Sequence, residues 1–355
     1  MYYPFSPPIR VTKNHNGVNG TVTYRDGVSP GRKAYEHQVT SDRHQATAAK
    51  TTQKPSNDLN LQIGTWNVRT LFTFGQLANI KLEMDRLNTD ILGICETRWT
   101  GNGQFFSDSY VIVYSGGEVH ARGVAIAIKK ELTKFILGCW TLSDRVMVLK
   151  LKGKKFDINI SQVYAPTSNS TEEDIATFYE QLDMAYKTCK SQEIKILMGD
   201  FNIKVGRGKH ETVAGPFELG ERNDRGDTFI QWCEEKDLAI MNTWFQHHNR
   251  RLYTWKSPGD QSRNQIDYIC INQRFRNGIK QCKTIPTADC NSDHILLVAK
   301  MVVRLKNIKT IRKEPKTDFN LLKTNNIANQ FKIEVTNRYN ELTIEKNHNE
   351  DPCAK

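Results

Sequence analysis

Residues 61–304 are filled by short apolar, β-branched segments, most of them closed by a polar residue, with three helix-like stretches between them. LQIGTWNV (61–68), DILGICE (90–96), YVIVYS (110–115), GVAIAIK (123–129), RVMVLKL (145–151), FDINISQVYA (156–165) and IKILMGD (194–200) read as strands. LAIMNTW (238–244), LYTW (252–255), IDYICIN (266–272) and HILLVAKMVV (294–303) extend the series. Leu77, Ile80, Met84 and Leu87 recur at helical spacing and give one apolar helix face. A second helix is expected from Ser170, where Ser170 and Glu173 pair as a capping box ahead of Ile175, Phe178 and Leu182. A third covers about 225–236. Strands that follow one another without an intervening helix favour a mixed sheet pair over a pure doubly wound sheet.

Composition narrows the class of protein. The 355 residues carry 50 Lys and Arg against 39 Asp and Glu, a net charge of +11. That excess sits at the ends: residues 1–60 and 301–355 are each +4, and the 240 residues between them only +3. A nearly neutral body between basic tails suits a polyanionic partner. No stretch approaches the roughly 18 unbroken apolar residues of a membrane span. The N-terminus, MYYPFSPPIR, is not built as a secretory signal. The 8 cysteines form no C-x-x-C pair, which argues against a zinc ribbon and a disulfide scaffold. A monomer in a reducing, intracellular and nuclear setting is expected, with no membrane contact. Residues 1–60, rich in Asn, Thr, Ser, Gly and Pro, read as a disordered tail, 61–305 as the folded domain, and 306–355 as a basic linker with a partly helical tail.

The polar residues that close the strands carry the chemical signal. Asn67, Glu96, Tyr164 and Asp200 end apolar runs, with Asn202 just beyond. Asp267 opens DYICIN, and Asp293 and His294 directly precede ILLVAK. One such carboxylate is usually a turn former. Six such positions along one chain converge in space if the strands share a sheet edge. Carboxylates, amides, a tyrosine and a histidine then make a site for a hard cation and a phosphate. A phosphodiester repels hydroxide, so the site needs a cation against the growing charge, a carboxylate for the attacking water, and neutral or cationic donors for the non-bridging oxygens.

TWNVR, CETRW, VYAPT, GDFN, QIDYI and SDH occur in that order over about residues 61–305, and the set resembles the endonuclease/exonuclease/phosphatase superfamily. Within it, LYTW before NQIDYI, and ADCNSDHILLVAKMVVRLK, are most similar to the endonuclease domains of non-LTR retrotransposons. The resemblance implies a DNase I-like α/β/β/α sandwich of four layers and a Mg²⁺-dependent (or Mn²⁺-dependent) DNA endonuclease that nicks and leaves a 3′-hydroxyl. It further implies that Glu96 is the main metal ligand, supported by Asn67 and with Asp293 beside it. Tyr164 would contact the phosphate, Asp200 would orient or deprotonate water, and Asn202 would help to place both. His294 would bind a phosphate oxygen and be held by Asp267. DNA contacts are expected from Arg69, from Arg250 and Arg251 in HHNRR (247–251), and from Lys306 and Lys309 in the basic run after residue 300. Many AP endonucleases carry an acid or amide where this chain has Arg69, which weakens any transfer of abasic-site specificity. No Asp-Asp pair exists for a reverse transcriptase site, which implies a retrotransposon-derived chain that cuts but does not copy. The alternatives are a phosphatase or phosphodiesterase of the same fold, which the SRNQIDYI wording disfavours, and a catalytically idle nucleic-acid-binding remnant.

Overall fold

The computed structural model describes residues 59–305 together with Ala328 and Lys332. Lys306, Lys309 and nearly all of the two expected tails lie outside the described residues. Spatial clustering separates residues 1–308 from 309–355. The fold below belongs to the first unit; of the second, only Ala328 and Lys332 are described, both helical.

The chain runs β1 (Leu59–Asn67), α1 (Gln76–Leu87), β2 (Ile91–Cys95), β3 (Asn102–Ser107), β4 (Tyr110–Ser115), β5 (Val124–Lys129), β6 (Ile136–Thr141), β7 (Val146–Leu151) and β8 (Ile158–Tyr164). It continues through α2 (Glu172–Lys187), β9 (Ile194–Asp200), α3 (Asp224–Glu235), β10 (Leu238–Ile240), β11 (Trp255–Lys256), β12 (Arg263–Asn264), β13 (Asp267–Asn272), β14 (Ile279–Thr284) and β15 (Leu297–Val303). One sheet has seven strands in the order β14-β15-β1-β2-β5-β4-β3, and the other has six in the order β10-β13-β9-β8-β7-β6. β11 and β12 form a small ribbon. Among the described strands, β1 pairs with β2 and β8 with β9 in parallel, and the other strand pairs are antiparallel.

Burial on both faces of each sheet sets the layers. Ile63, Ile91, Val113 and Ile126 of the first sheet pack against Leu149, Ile160, Met198 and Ile269 of the second. The outer face of the first sheet (Leu92, Ile94, Ala125, Ala127) is covered by Ile80 and Met84 of α1. The outer face of the second (Val148, Val163, Leu197, Tyr268) is covered by Phe178 and Leu182 of α2 and by Phe229 and Ile230 of α3. The result is a four-layer α/β/β/α sandwich, as the family resemblance implied, built on the pair of mixed sheets that the strand order favoured. Each fully buried aliphatic side chain in it contributes about 1.5–3 kcal/mol.

Two local expectations are corrected. The capping box of α2 is Thr171 with Asp174, not Ser170 with Glu173: Asp174 N donates to Thr171 Oγ1 at 3.2 Å, and Thr171 N to Asp174 Oδ2 at 3.3 Å. Ser170 N instead donates to Thr167 O, closing the turn before the helix. LYTW is strand only at Trp255, because Thr254 is drawn out to bond the backbone before β13. The seven described cysteines are free, and all but Cys189 are buried. Among the described residues no helix is long and apolar enough to cross a membrane.

Candidate active site

The two parallel pairs explain why the strand-ending residues meet. Parallel register aligns Asn67 with Cys95, so Asn67 and the next residue, Glu96, leave the first sheet side by side. In the second sheet Tyr164 aligns with Asp200, and antiparallel pairing puts Asp267 opposite Asp200. The inner faces approach closely just behind this edge. A Cβ on Gly93 would fall 1.7 Å from Gln162 Oε1, so only glycine leaves room for that amide between the sheets. Gln162 Nε2 there donates to Thr65 Oγ1 and Cys95 Sγ at 3.1 and 3.0 Å. Immediately past the strands, Glu96 (φ 58°) and Asn202 (φ 52°) adopt the left-handed conformation. That conformation costs roughly 1–2 kcal/mol for a residue with a Cβ, and such strain collects at functional sites.

Asn67 joins the two sheets. Its Nδ2 donates to Glu96 Oε1 at 2.8 Å and to Asp200 Oδ2 at 2.9 Å, while its Oδ1 accepts from Arg69 N at 3.0 Å. A flipped amide would set its oxygen between two carboxylates, so the orientation is fixed by charge. Tyr164 donates to the same Glu96 Oε1 at 3.1 Å, and Asp200 Oδ1 accepts from Asn202 N at 2.9 Å. Asn202 Nδ2 donates to Ala165 O at 3.0 Å. Burial, reinforced by Glu96, holds the Tyr164 phenol well above its usual range, so it stays a neutral donor. Burial and the nearby Asp267 push Asp200 up to about 7, although His294 pulls it the other way.

His294 is 6% exposed and Asp267 1%, and their Nδ1 and Oδ2 atoms are 2.9 Å apart. Burial alone would lower the imidazole, but Asp267 and then Asp200 raise it to about 9, so the ring is charged at neutral pH. Its Nε2 faces Asp200 Oδ2 at 3.8 Å. The surrounding loop is pinned to β1: Ser292 Oγ donates to Asn67 O at 2.7 Å and accepts from His294 N at 3.1 Å, and Trp66 Nε1 donates to His294 O at 3.0 Å. Asp267 N donates to Thr254 Oγ1 at 3.0 Å.

Potential ligand atoms of Asp200, Asp267 and His294 all lie within 4.8 Å of one another. A charged imidazole whose Nδ1 is committed to Asp267 is a poor metal ligand, so this cluster is better suited to proton and phosphate handling. The other carboxylates suit a hard cation. Glu96 and Asp293 open onto the same cleft as Asp200. Asp293 Oδ1 is buried without a hydrogen bond, while its Oδ2 accepts from Trp255 Nε1 at 3.0 Å. An all-oxygen donor set, with one carboxylate oxygen that has no hydrogen bond and only a long ion pair to Arg69, fits Mg²⁺ or Mn²⁺.

Of the residues singled out in the sequence, Glu96, Tyr164, Asp200, Asn202, Asp293, His294 and Arg69 line one cleft of about 310 Å³. Asn67 and Asp267 are buried against its walls. Arg69 Nε lies 3.6 Å from Asp293 Oδ1. Arg250 and Arg251 form a short 3₁₀ turn (Asn249–Arg251) and are not among the lining residues of that cleft. Sequence reasoning missed Trp255, Ser292 and Thr254. It also missed the buried Arg145, which donates to Tyr164 O at 3.1 Å with its guanidinium 5.3 Å from the Tyr164 ring. Ser292 left a trace as the first letter of SDH, and Thr254 and Trp255 as the last two letters of LYTW, without a role assigned to them.

A four-layer sandwich with carboxylates, amides and a His–Asp pair at one common sheet edge defines a class of phosphodiester-cleaving proteins. Residues 64–294 match the model of the Endonuclease/Exonuclease/phosphatase family, and the chain belongs to that family, whose members hydrolyse phosphodiester bonds and generally use divalent metal ions. It is 40% identical over 293 residues to craniofacial development protein 2 of Bos taurus, covering 82% of this chain and 47% of that protein. Identity to craniofacial development protein 2 of Tragulus javanicus is 43% over 252 residues, or 70% and 44% of the two lengths. The chain thus matches less than half of the length of these curated relatives. Among solved structures, the endonuclease domain of TRAS1, a telomere-specific non-LTR retrotransposon, superposes with a TM-score of 0.50 at 16% identity, covering 70% of this chain and 99% of that one. The AP endonuclease LMAP from Leishmania major gives 0.54 at 16% (73% and 92%). The Xenopus laevis APE2 catalytic domain gives 0.52 at 15% (70% and 94%). At these identities the likeness speaks for the fold.

Proposed function

We propose that this chain is a metal-dependent DNA endonuclease that nicks one strand by hydrolysis, leaves a 3′-hydroxyl, and derives from a non-LTR retrotransposon. The observation that carries the reading is the Asn67 amide, which holds Glu96 of one sheet and Asp200 of the other 2.8 and 2.9 Å from a single nitrogen, beside a charged His294. Glu96, with Asn67 and Asp293 beside it, would hold Mg²⁺ or Mn²⁺, which supplies positive charge against the charge growing on the phosphoryl oxygens. Asp200 takes the proton of the attacking water, a task suited to a carboxylate pushed up to about 7 by burial and Asp267. His294 presents Nε2–H to a non-bridging oxygen, with Asp267 fixing its tautomer and charge. The neutral Tyr164 hydroxyl offers a second donor, and Asn202 helps to position water and phosphate.

DNA as substrate is supported by the basic excess of the chain and by structural neighbours that are a telomere-specific retrotransposon's endonuclease domain and an AP endonuclease. Retrotransposon origin is supported by the ordered sequence segments and by the TRAS1 fold match. The reading is tested by incubating the full chain with supercoiled plasmid and Mg²⁺ or EDTA, then treating the product with DNA ligase. Relaxed circles formed only with Mg²⁺ and resealed by ligase are expected. No relaxation, or ends that ligase rejects, would refute hydrolysis to a 3′-hydroxyl.

A further inference from the structure

One exposed surface beside the cleft has no role in the chemistry above. The segment after β1 carries Phe72, 65% exposed, and Phe74, fully exposed. Two large rings held in water two residues apart oppose the main driving force of folding. They are not loose. Leu71, just before them, is 5% exposed, its N–H donates to Thr97 O at 3.0 Å, and its carbonyl accepts from Trp99 Nε1 at 3.3 Å. After them, Gly75 takes the left-handed conformation (φ 82°) that starts α1, and Gln76 and Asn79 of that helix donate to Cys290 O and Asp289 O. The Phe72 ring lies 4.5 Å from the His120 ring, and His120 Nδ1 is 2.9 Å from Arg98 O. Both rings are therefore presented by a braced segment laced to the loops that follow β2 and β4.

The chain on either side of these rings borders a depression that holds two guanidiniums. Val68, Arg69, Thr70, Thr73, Gln76, Arg98 and Asn291 line a second depression, and Arg69 borders both it and the catalytic cleft. Arg69 and Arg98 each stand two residues after a residue of the site, the buried Asn67 and the cleft-lining Glu96, and both are left-handed, at φ 60° and 56°. Their ion pairs, to Asp293 at 3.6 Å and to Glu96 at 3.5 Å, are long, and the side chains are 59% and 46% exposed. Such guanidiniums keep donors free for a phosphate. Exposed aromatic faces beside guanidiniums fit a strand whose bases are unpaired, because a base inside a duplex offers no face for stacking.

We propose that Phe72 and Phe74, with Arg69 and Arg98, form a subsite for unpaired nucleotides flanking the scissile phosphate, so that the protein prefers DNA with a locally single-stranded segment over fully paired duplex. This rests on the endonuclease reading for its setting but is tested by binding alone. Fluorescence anisotropy in EDTA compares the full chain on two labelled duplexes of equal length, one fully paired and one with a four-nucleotide gap. Alanine replacement of a stacking aromatic costs about 1–3 kcal/mol per base, which is roughly 5- to 150-fold in Kd. The wild type should therefore bind the gapped duplex at least tenfold more tightly. That ratio should fall to near one in the Phe72→Ala/Phe74→Ala double variant and be kept by Phe72→Tyr/Phe74→Tyr, with melting temperatures within a few degrees of wild type. Equal binding to both duplexes, no DNA binding, or a preference that survives the alanine pair would overturn the proposal and leave the rings to a protein partner. A gap preference without plasmid nicking would sink the endonuclease reading while keeping the subsite.

Discussion

Replacing Asp267 by Asn tests how the histidine is charged. The amide is nearly isosteric and its oxygen can still accept from His294 Nδ1, so the 2.9 Å contact survives while the negative charge is lost. In the wild type the ring rises from 6.5 to about 9 despite burial, with Asp267 the leading cause of the rise. That difference corresponds to roughly 3 kcal/mol in favour of the imidazolium. Without Asp267, burial dominates, Asp200 at 3.8 Å offsets it only in part, and the ring titrates at or below neutrality. A neutral ring brings no positive charge to the phosphate, so nicking at pH 7.5 should fall by about 10²–10⁴-fold, the range of such electrostatic and acid–base groups. Imidazole titration by NMR on the metal-free protein, with plasmid nicking in parallel, reads both quantities. A ring still charged at pH 8.5 in Asp267→Asn, or an undiminished rate, would refute the pairing argument.

Asn67→Ala leaves two buried carboxylate oxygens without their shared donor. The metal-free protein should lose about 1–3 kcal/mol and recover part of it when Mg²⁺ is added, as read by thermal melts. Glu218 is 2% exposed, and burial pushes its carboxyl well up although the Tyr268 hydroxyl lies 2.9 Å away. Because the folded state holds that proton more tightly than the unfolded state, stability is lost as pH rises above the ordinary carboxylate range, by at most about 1.4 kcal/mol per pH unit. Glu218→Gln should therefore flatten that decline, and parallel stability curves between pH 5 and 8 would contradict it. Deleting residues 306–355 removes five of the seven basic residues between Lys300 and Lys316. If three or four of them neutralise DNA phosphates, the slope of log K against log salt falls by about three, which a fluorescence titration resolves; an unchanged slope assigns recognition to the folded body.

Apart from β10, which ends the six-stranded sheet, the strands of the two large sheets that are legible in the sequence are interior ones. β2, β5 and β13 are buried on both faces and read as nearly continuous apolar runs, while β1, β8 and β9 carry polar residues but keep enough buried aliphatic positions to be recognised. Three that escaped notice, β3 (NGQFFS), β6 (ILGCWT) and β14 (IKQCKT), each lie at the edge of a sheet. Edge strands need only one partner and carry glycine, lysine and solvated side chains, which blur the period-2 signal. The catalytic candidates were visible for a related reason: a carboxylate or amide closing an apolar run contrasts with what precedes it. Trp255 and Arg145 contrast with nothing locally. They bear on the site through a bridge to His294 and a bond to Tyr164 O, contacts that only the folded backbone creates. The Ser170 misreading shows the same limit at short range, since two adjacent hydroxyl residues each precede an acid at capping distance and only the turn at Thr167 separates them.

The central claim is that Glu96 and its neighbours support metal-dependent hydrolysis at this sheet edge. Its most direct test is the plasmid-nicking rate of Glu96→Gln against wild type across a Mg²⁺ titration. The variant removes one negative oxygen while keeping an acceptor for Asn67 and Tyr164 at nearly the same shape. Wild type should nick in proportion to bound Mg²⁺, while Glu96→Gln, with an unchanged melting temperature, should require far more Mg²⁺ and turn over at least about 10²-fold more slowly. A variant that nicks as fast as wild type at the same Mg²⁺ concentration would contradict the account.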